Sequence, residues 1–328
     1  MRSSKSGQSV VVVAVVVLGA LLLVGWLPGV SAAQPSIRAA SGVTACGVGN
    51  GPEFPGYDPV NHEVYVPNAK SGNITILSGT CKHVGSIKLP SGAYPVYAAF
   101  DPQNDRMYVT DYALNQVYVI AGKSVVYTFN QNFNGPLGEA WDAGNNAMLV
   151  ANYNSDQVIA IQGINYTPIN TGIGPSFIAY DPYYATVLIT NFYSDNVTIV
   201  NALTFRHVGD VPVGSGPLDI AFDPVNDRDY VTNQYSGNVT VISGSGVGIG
   251  SIGGFKTPAG LAFNQANLRM YVAEYTSKLG KVAQVTAAKQ VGSNDTVSGA
   301  SVLGLAFDEY NNYVYVANFG GSTVYILT

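Results

Sequence analysis

The chain has 328 residues, 11% charged and 47% hydrophobic, with a formal net charge of −5. Ample apolar material excludes a disordered chain, and the acidic balance excludes the basic footprint of a nucleic-acid-binding protein. Gly (37) and Tyr (22) are abundant, which suits many short strands joined by tight turns.

The first element is N-terminal. Arg2 and Lys5 precede an uncharged run from Val10 to Leu27, followed by Pro28-Gly29 and the small-residue stretch Val30-Ser31-Ala32-Ala33. A basic start, an apolar middle and small residues at the end predict a secretory signal peptide over 1–33, cleaved near Ala32 or Ala33. The run is 18 residues long, the lower edge of a membrane-spanning helix, so an uncleaved anchor is the alternative. Either way, residues 34–328 are expected outside the cytoplasm, secreted or at the cell surface.

From there the chain repeats. An aromatic followed by Asp or Asn recurs at Tyr57-Asp58, Phe100-Asp101, Trp141-Asp142, Tyr180-Asp181, Phe222-Asp223, Phe263-Asn264 and Phe307-Asp308, at spacings of 39 to 44 residues. Two residues before each Asp or Asn stands Gly or Ala, and six before it stands Pro in all copies but the last, which has Val302. The copy from Pro217 to Pro258 shows four strand segments: Leu218–Phe222 (a), Tyr230–Asn233 (b), Val239–Ile242 (c) and a stretch through Ser251-Ile252 (d). Asp223-Pro224-Val225-Asn226 is the a–b turn, Asp accepting backbone hydrogen bonds and Pro presetting φ. The unit is a four-stranded antiparallel meander that cannot bury both faces alone. Seven such sheets packed in a ring bury all of them, which predicts an all-β, seven-bladed β-propeller.

Copy six departs from the pattern, with Asn264-Gln265 for Asp-Pro, Glu274 for Asn and extra residues near Lys278 to Lys281. The last copy ends at Thr328, straight after its strand c. Its missing strand d is predicted at the other end of the chain, around residues 41–48, because Val43 to Pro52 lines up with Val208 to Pro217, a strand d and its exit. Cys46 falls in that closing strand and Cys81 in the loop before strand d of blade one. These two, the only cysteines, are expected to pair across the closure in an oxidising compartment; two unrelated buried thiols are the alternative.

Tyr230-Val231-Thr232-Asn233, with variants at Tyr65-Val66-Pro67-Asn68, Tyr108-Val109-Thr110-Asp111, Leu188-Ile189-Thr190-Asn191 and Tyr315-Val316-Ala317-Asn318, resembles the signature of the YVTN β-propeller repeat family. The resemblance covers residues 41–328 and specifies fold far more than function. Proteins of this kind include microbial cell-surface and surface-layer-associated propellers, YncE-like periplasmic proteins, and relatives of lactonases and streptogramin lyases.

The sequence groups no catalytic constellation. His62 falls in an a–b turn, and His83 and His207 at outer strands, all read as solvated; no metal site or cofactor is expected. Gly244-Ser245-Gly246 lacks the strand-to-helix setting of a phosphate loop. The turn Asp series is what the turns demand rather than a ring of metal ligands. Glu139 and Asp219 sit within strands a, where a charge is expected to face the axial channel or a neighbouring polar group, as a solvated channel residue or as a ligand or cation contact at the channel mouth. The b–c loops carry Tyr112, Tyr153, Phe192, Tyr275 and Phe319, with Tyr193 and Tyr235 one step later. These predict a circle of aromatics around one channel entrance, suited either to stacking on sugars or protein partners or to packing between loops. Sequons occur at Asn73, Asn165, Asn196, Asn238 and Asn294, either glycosylated or serving as turn and strand residues. These features favour a monomeric, non-enzymatic scaffold that binds a cell-surface protein or glycan, touching membrane only through an uncleaved N-terminal segment. The alternative is an extracellular lactonase- or streptogramin-lyase-like enzyme with its site at the channel mouth.

Overall fold

Turn chemistry sets where each strand begins. The computed structural model describes residues 42–276, 279–286, 289–290, 295–298 and 301–328; the predicted signal peptide and Asn294 lie outside them. In all seven a–b turns the Asp or Asn Oδ1 accepts the backbone N–H groups two and three residues on, at 2.8–3.3 Å. In blades one, two, five and seven the second carboxylate oxygen accepts the amide of the Asn three residues on, at 2.8–2.9 Å. These carboxylates are committed to their own loops. Asp101→Ala removes three such bonds and is expected to cost about 1–3 kcal/mol. Asp101→Asn should cost less, since Asn264 forms the same turn; urea unfolding of both variants checks this.

Seven antiparallel sheets follow. Blade five comprises strands a (Pro217–Asp223), b (Arg228–Asn233), c (Asn238–Ser243) and d (Gly248–Gly253), each slightly longer than its pattern predicts. Blade six is the irregular one. Its strand c, Leu279–Thr286, carries two short outer strands, Lys289–Gln290 and Asp295–Ser298, in place of one strand d. Blade seven is completed by Val43–Gly47, antiparallel to Thr323–Leu327 with Val43 opposite Leu327 and Gly47 opposite Thr323. Cys46 and Cys81 form a disulfide, Cα–Cα 5.1 Å, that ties this strand to blade one.

The repeated Tyr-Val-Thr-Asn letters each have a physical task. The Val side chains (Val66, Val109, Val231, Val316) are fully buried. Thr hydroxyls staple neighbouring blades: Thr110 donates to the Leu137 carbonyl at 2.7 Å, Thr190 to Leu218 at 2.9 Å and Thr232 to Ala259 at 2.7 Å. Asn amides hold the b–c loop, as Asn68 on Thr75 and Asn233 on Thr240. Tyr hydroxyls reach the next blade's c–d turn, Tyr65 to the Gly122 carbonyl and Tyr315 to that of Gly79.

The axis is plugged. Phe54 of blade one and Phe177 of blade four, both fully buried, have ring centroids 6.2 Å apart. Those blades are not neighbours, so the rings meet across the centre. Gly304 leaves room for this, since a Cβ there would collide with Phe54 and the Glu53 carbonyl. The channel is therefore closed beneath its entrance.

Candidate functional site

Antiparallel order puts all b–c and d–a loops on one face, where the aromatics expected from the repeat form a contact chain. Tyr153 lies 5.5 Å from Tyr193 and 6.2 Å from Phe192, and Phe192 lies 5.2 Å from Tyr235. Tyr275 and Phe319 form a second pair, 6.4 Å apart. The circle breaks at blade one, which offers Lys70 instead. Its ammonium sits 3.9 Å from the Phe319 ring centroid and donates to the Phe319 carbonyl at 2.8 Å, a cation–π contact. Packing and exposure divide the set. Tyr153, Phe192 and Phe319 are buried, Tyr112 and Tyr275 half-buried, and only Tyr193 (54%) and Tyr235 (67%) stand open to solvent.

Sequence reasoning missed two members of this entrance. Glu53 follows Pro52 at the start of blade one and is fully buried, with Oε1 accepting the Tyr94 hydroxyl at 3.2 Å and Oε2 unpartnered. Burial pushes the Glu53 carboxyl well above the usual carboxylate range, against the lowering pulls of Tyr94 and Lys70. Tyr94, from the loop entering blade two, is raised by burial and then by Glu53, with Tyr275 and Tyr112 within electrostatic reach. The repeat register holds the signal that finds Glu53: the residue after each Pro is otherwise Val96, Leu137, Ser176, Leu218 or Ala259.

Glu139 and Asp219 are not at the entrance. Both are fully buried, so neither is a solvated channel acid; Asp219 instead meets the other expectation, a charge facing neighbouring polar groups. Asp219 accepts the Ile220 N–H at 2.6 Å and the Leu261 N–H of blade six, so it acts as a staple between blades. Neither Glu139 oxygen makes a hydrogen bond of good geometry, and burial raises its carboxyl well above the ordinary value against a weaker lowering pull from the Thr110 backbone. The Tyr97 hydroxyl is likewise buried without a partner, and burial, then Asp219, then Glu139 raise it.

Outboard of the entrance, blades two and three leave a groove of about 420 Å³ lined by Asn132, Phe133, Asn134, Gln157, Tyr166 and Pro168, among others. No charged residue lines it. Phe133 and Tyr166 meet edge to face at 6.1 Å.

The histidines lie elsewhere. His83 and His207 are exposed on outer strands, His207 bridging Asp210 at 2.9 Å. His62 is a correction to its reading as solvated: it is half-buried, stacked on Tyr310 at 3.9 Å and hydrogen-bonded to the Tyr57 hydroxyl at 3.1 Å, on the face opposite the entrance. Among the sequons, Asn73 and Asn238 use their amides in bonds to Ser86 and Ser251, and Asn196 accepts from Asn191. Asn165 is exposed.

No family model matches the chain, and no curated protein matches it. Solved structures share the fold. A streptogramin B lyase superposes with a TM-score of 0.72 at 12% identity, over 87% of this chain and 97% of that one. Selenomethionine-substituted virginiamycin B lyase from Staphylococcus aureus gives 0.73 at 16%, over 88% and 99%. A catalytically inactive His-to-Ala variant of that lyase with quinupristin gives 0.74 at 16%, again over 88% and 99%.

Proposed function

We propose that this chain is an exported, YVTN-type propeller that binds a neutral glycan at the aromatic entrance. The exposed rings of Tyr193 and Tyr235, backed by the buried Tyr153 and Phe192, carry this reading. Aromatic faces stack on the apolar faces of sugar rings, and the uncharged groove on blades two and three presents Asn and Gln amides that suit hydroxyl groups. The Cys46–Cys81 bond supports an oxidising destination outside the cytoplasm. The recurring tasks of Tyr, Thr and Asn support the YVTN assignment.

The test is a glycan array, with a parallel pull-down for protein partners, comparing the full chain with Tyr193→Ala combined with Tyr235→Ala. Both side chains are exposed, so folding should be unaffected. Glycan affinity is expected to fall at least tenfold, about 1.4 kcal/mol. Unchanged binding, or capture of a protein in place of any glycan, refutes the reading.

The fold shared with the lyases favours one second reading, an enzyme acting at the same entrance. A histidine is the residue changed in the inactive lyase variant, whereas all three histidines here lie away from the entrance. Incubation with quinupristin, followed by mass spectrometry, separates the two: turnover supports the enzyme, and an unaltered compound supports the binding protein.

A further inference from the structure

We propose that the face carrying the a–b and c–d turns rests on a lipid surface, which points the aromatic entrance away from the membrane. The first observation is the direction of chain entry. Val43 pairs with Leu327, the end of strand c in blade seven, and Thr328 donates its N–H to the Gly42 carbonyl at 3.3 Å. The chain therefore enters the ring on the c–d side, the side opposite the b–c loops. Only 14 residues, 28–41, separate Gly42 from the uncharged run Val10–Leu27. This placement rests on the uncleaved alternative for the N-terminal segment: retained in a bilayer, that run holds this face within about 50 Å of the lipid, the extended reach of such a linker.

The second observation is what the face presents. Val60, Ile164, Leu203, Val225 and Val247 are exposed at a–b or c–d turns, Ile164 at 78%. Tyr183, Tyr184 and Tyr310 accompany them, and Tyr is a residue that suits a membrane interface, with an apolar ring and a polar tip. Tyr183 braces the a–b turn of blade five through its hydroxyl on the Pro224 carbonyl at 3.2 Å and its ring on Phe222 at 5.6 Å. Tyr310 is held by the His62 stack beside Val60. Tyr183 and Tyr310 are thus held in place while remaining exposed. The entrance face, among the described residues, exposes only Ile173, Tyr193 and Tyr235 as large apolar groups. An apolar set gathered on the tethered face fits shallow insertion at the headgroup boundary.

The test is hydroxyl-radical footprinting, read by peptide mass spectrometry, of the full chain in phosphatidylcholine vesicles and in neutral detergent micelles. Oxidation of Tyr183, Tyr184 and Tyr310 is expected to slow at least fivefold in vesicles, while Tyr193 and Tyr235 react equally in both. Equal rates on the two faces, or protection of the entrance, overturn the proposal. A second variant, with Ile164, Leu203, Val225 and Val247 all changed to Ser, should lose most of the protection. Full protection in that variant also overturns it. Glycan binding plays no part in either readout.

Discussion

A chain lacking Val43–Gly47 is expected to aggregate or to melt without cooperativity, a loss on the order of 5 kcal/mol or more. The deletion leaves strand c of blade seven (Thr323–Leu327) with an unpaired edge. It also opens the core in which Cys46 packs with Val64, Val66, Leu77, Tyr315, Val324 and Ile326. Replacing only Cys46 and Cys81 by Ser keeps the strand and removes the cross-link over 35 residues, at an expected cost of about 3–4 kcal/mol by loop entropy. Size-exclusion chromatography and thermal unfolding rank the two. A deletion variant that melts with the disulfide-free chain would mean that the strand adds nothing beyond its bond.

Asp229→Val and Glu139→Leu are each expected to stabilise the protein at pH 7, by about 2 kcal/mol or more. Asp229, in strand b of blade five, is fully buried with neither oxygen partnered. Its equivalents are Val64, Met107, Met148, Val187, Met270 and Val314, so the site is built for an apolar side chain. Burial raises its carboxyl well above the ordinary value, and the neighbouring Asp181 and Asp227 add to that. Glu139 stands where Ala98, Ile178, Ile220, Leu261 and Leu305 stand in other blades. In the unfolded chain both acids release their protons near pH 4, whereas the folded chain holds them to higher pH. Folding therefore takes up protons, and stability falls as pH rises above about 4. Asp142, raised to about 6 by burial against two backbone hydrogen bonds, contributes the same slope between about pH 4 and 6. Urea midpoints from pH 4 to 8 should decline for the native chain and decline less steeply in each variant, where the remaining raised carboxyls keep part of the slope. A midpoint lower than native at pH 7 in both variants would show that the carboxyls serve the fold.

The blade number, the turns and the ring closure were legible in the sequence because each rests on local chemistry repeated seven times. Asp at the a–b turn, Pro at the strand entry and a missing final strand are visible without knowing which residues meet. Cys46 opposite Cys81 followed from blade order alone. The entrance aromatics were equally legible as positions. Their division into buried Tyr153, Phe192 and Phe319 and open Tyr193 and Tyr235 was not, because it depends on how neighbouring loops overlap.

Strand a marks the boundary between the two kinds of knowledge. In blades two to seven its pairing with strand b shifts register just after the residue at the Pro position, a bulge that breaks the in–out alternation. Alternation therefore misplaces the three residues that follow, and Glu139 and Asp219 both occupy such positions. The sequence by itself determined a seven-bladed ring closed by its own N-terminal strand, with two cysteines placed on either side of the closure; that they are bonded was decided by the tertiary structure. Only the tertiary structure decided that Phe54 and Phe177 plug the axis, that Glu139 and Asp219 lie buried, and that Glu53 and Tyr94 stand at the entrance. Turn and strand signals act between residues close in the chain, whereas these placements arise where seven blades converge on one axis.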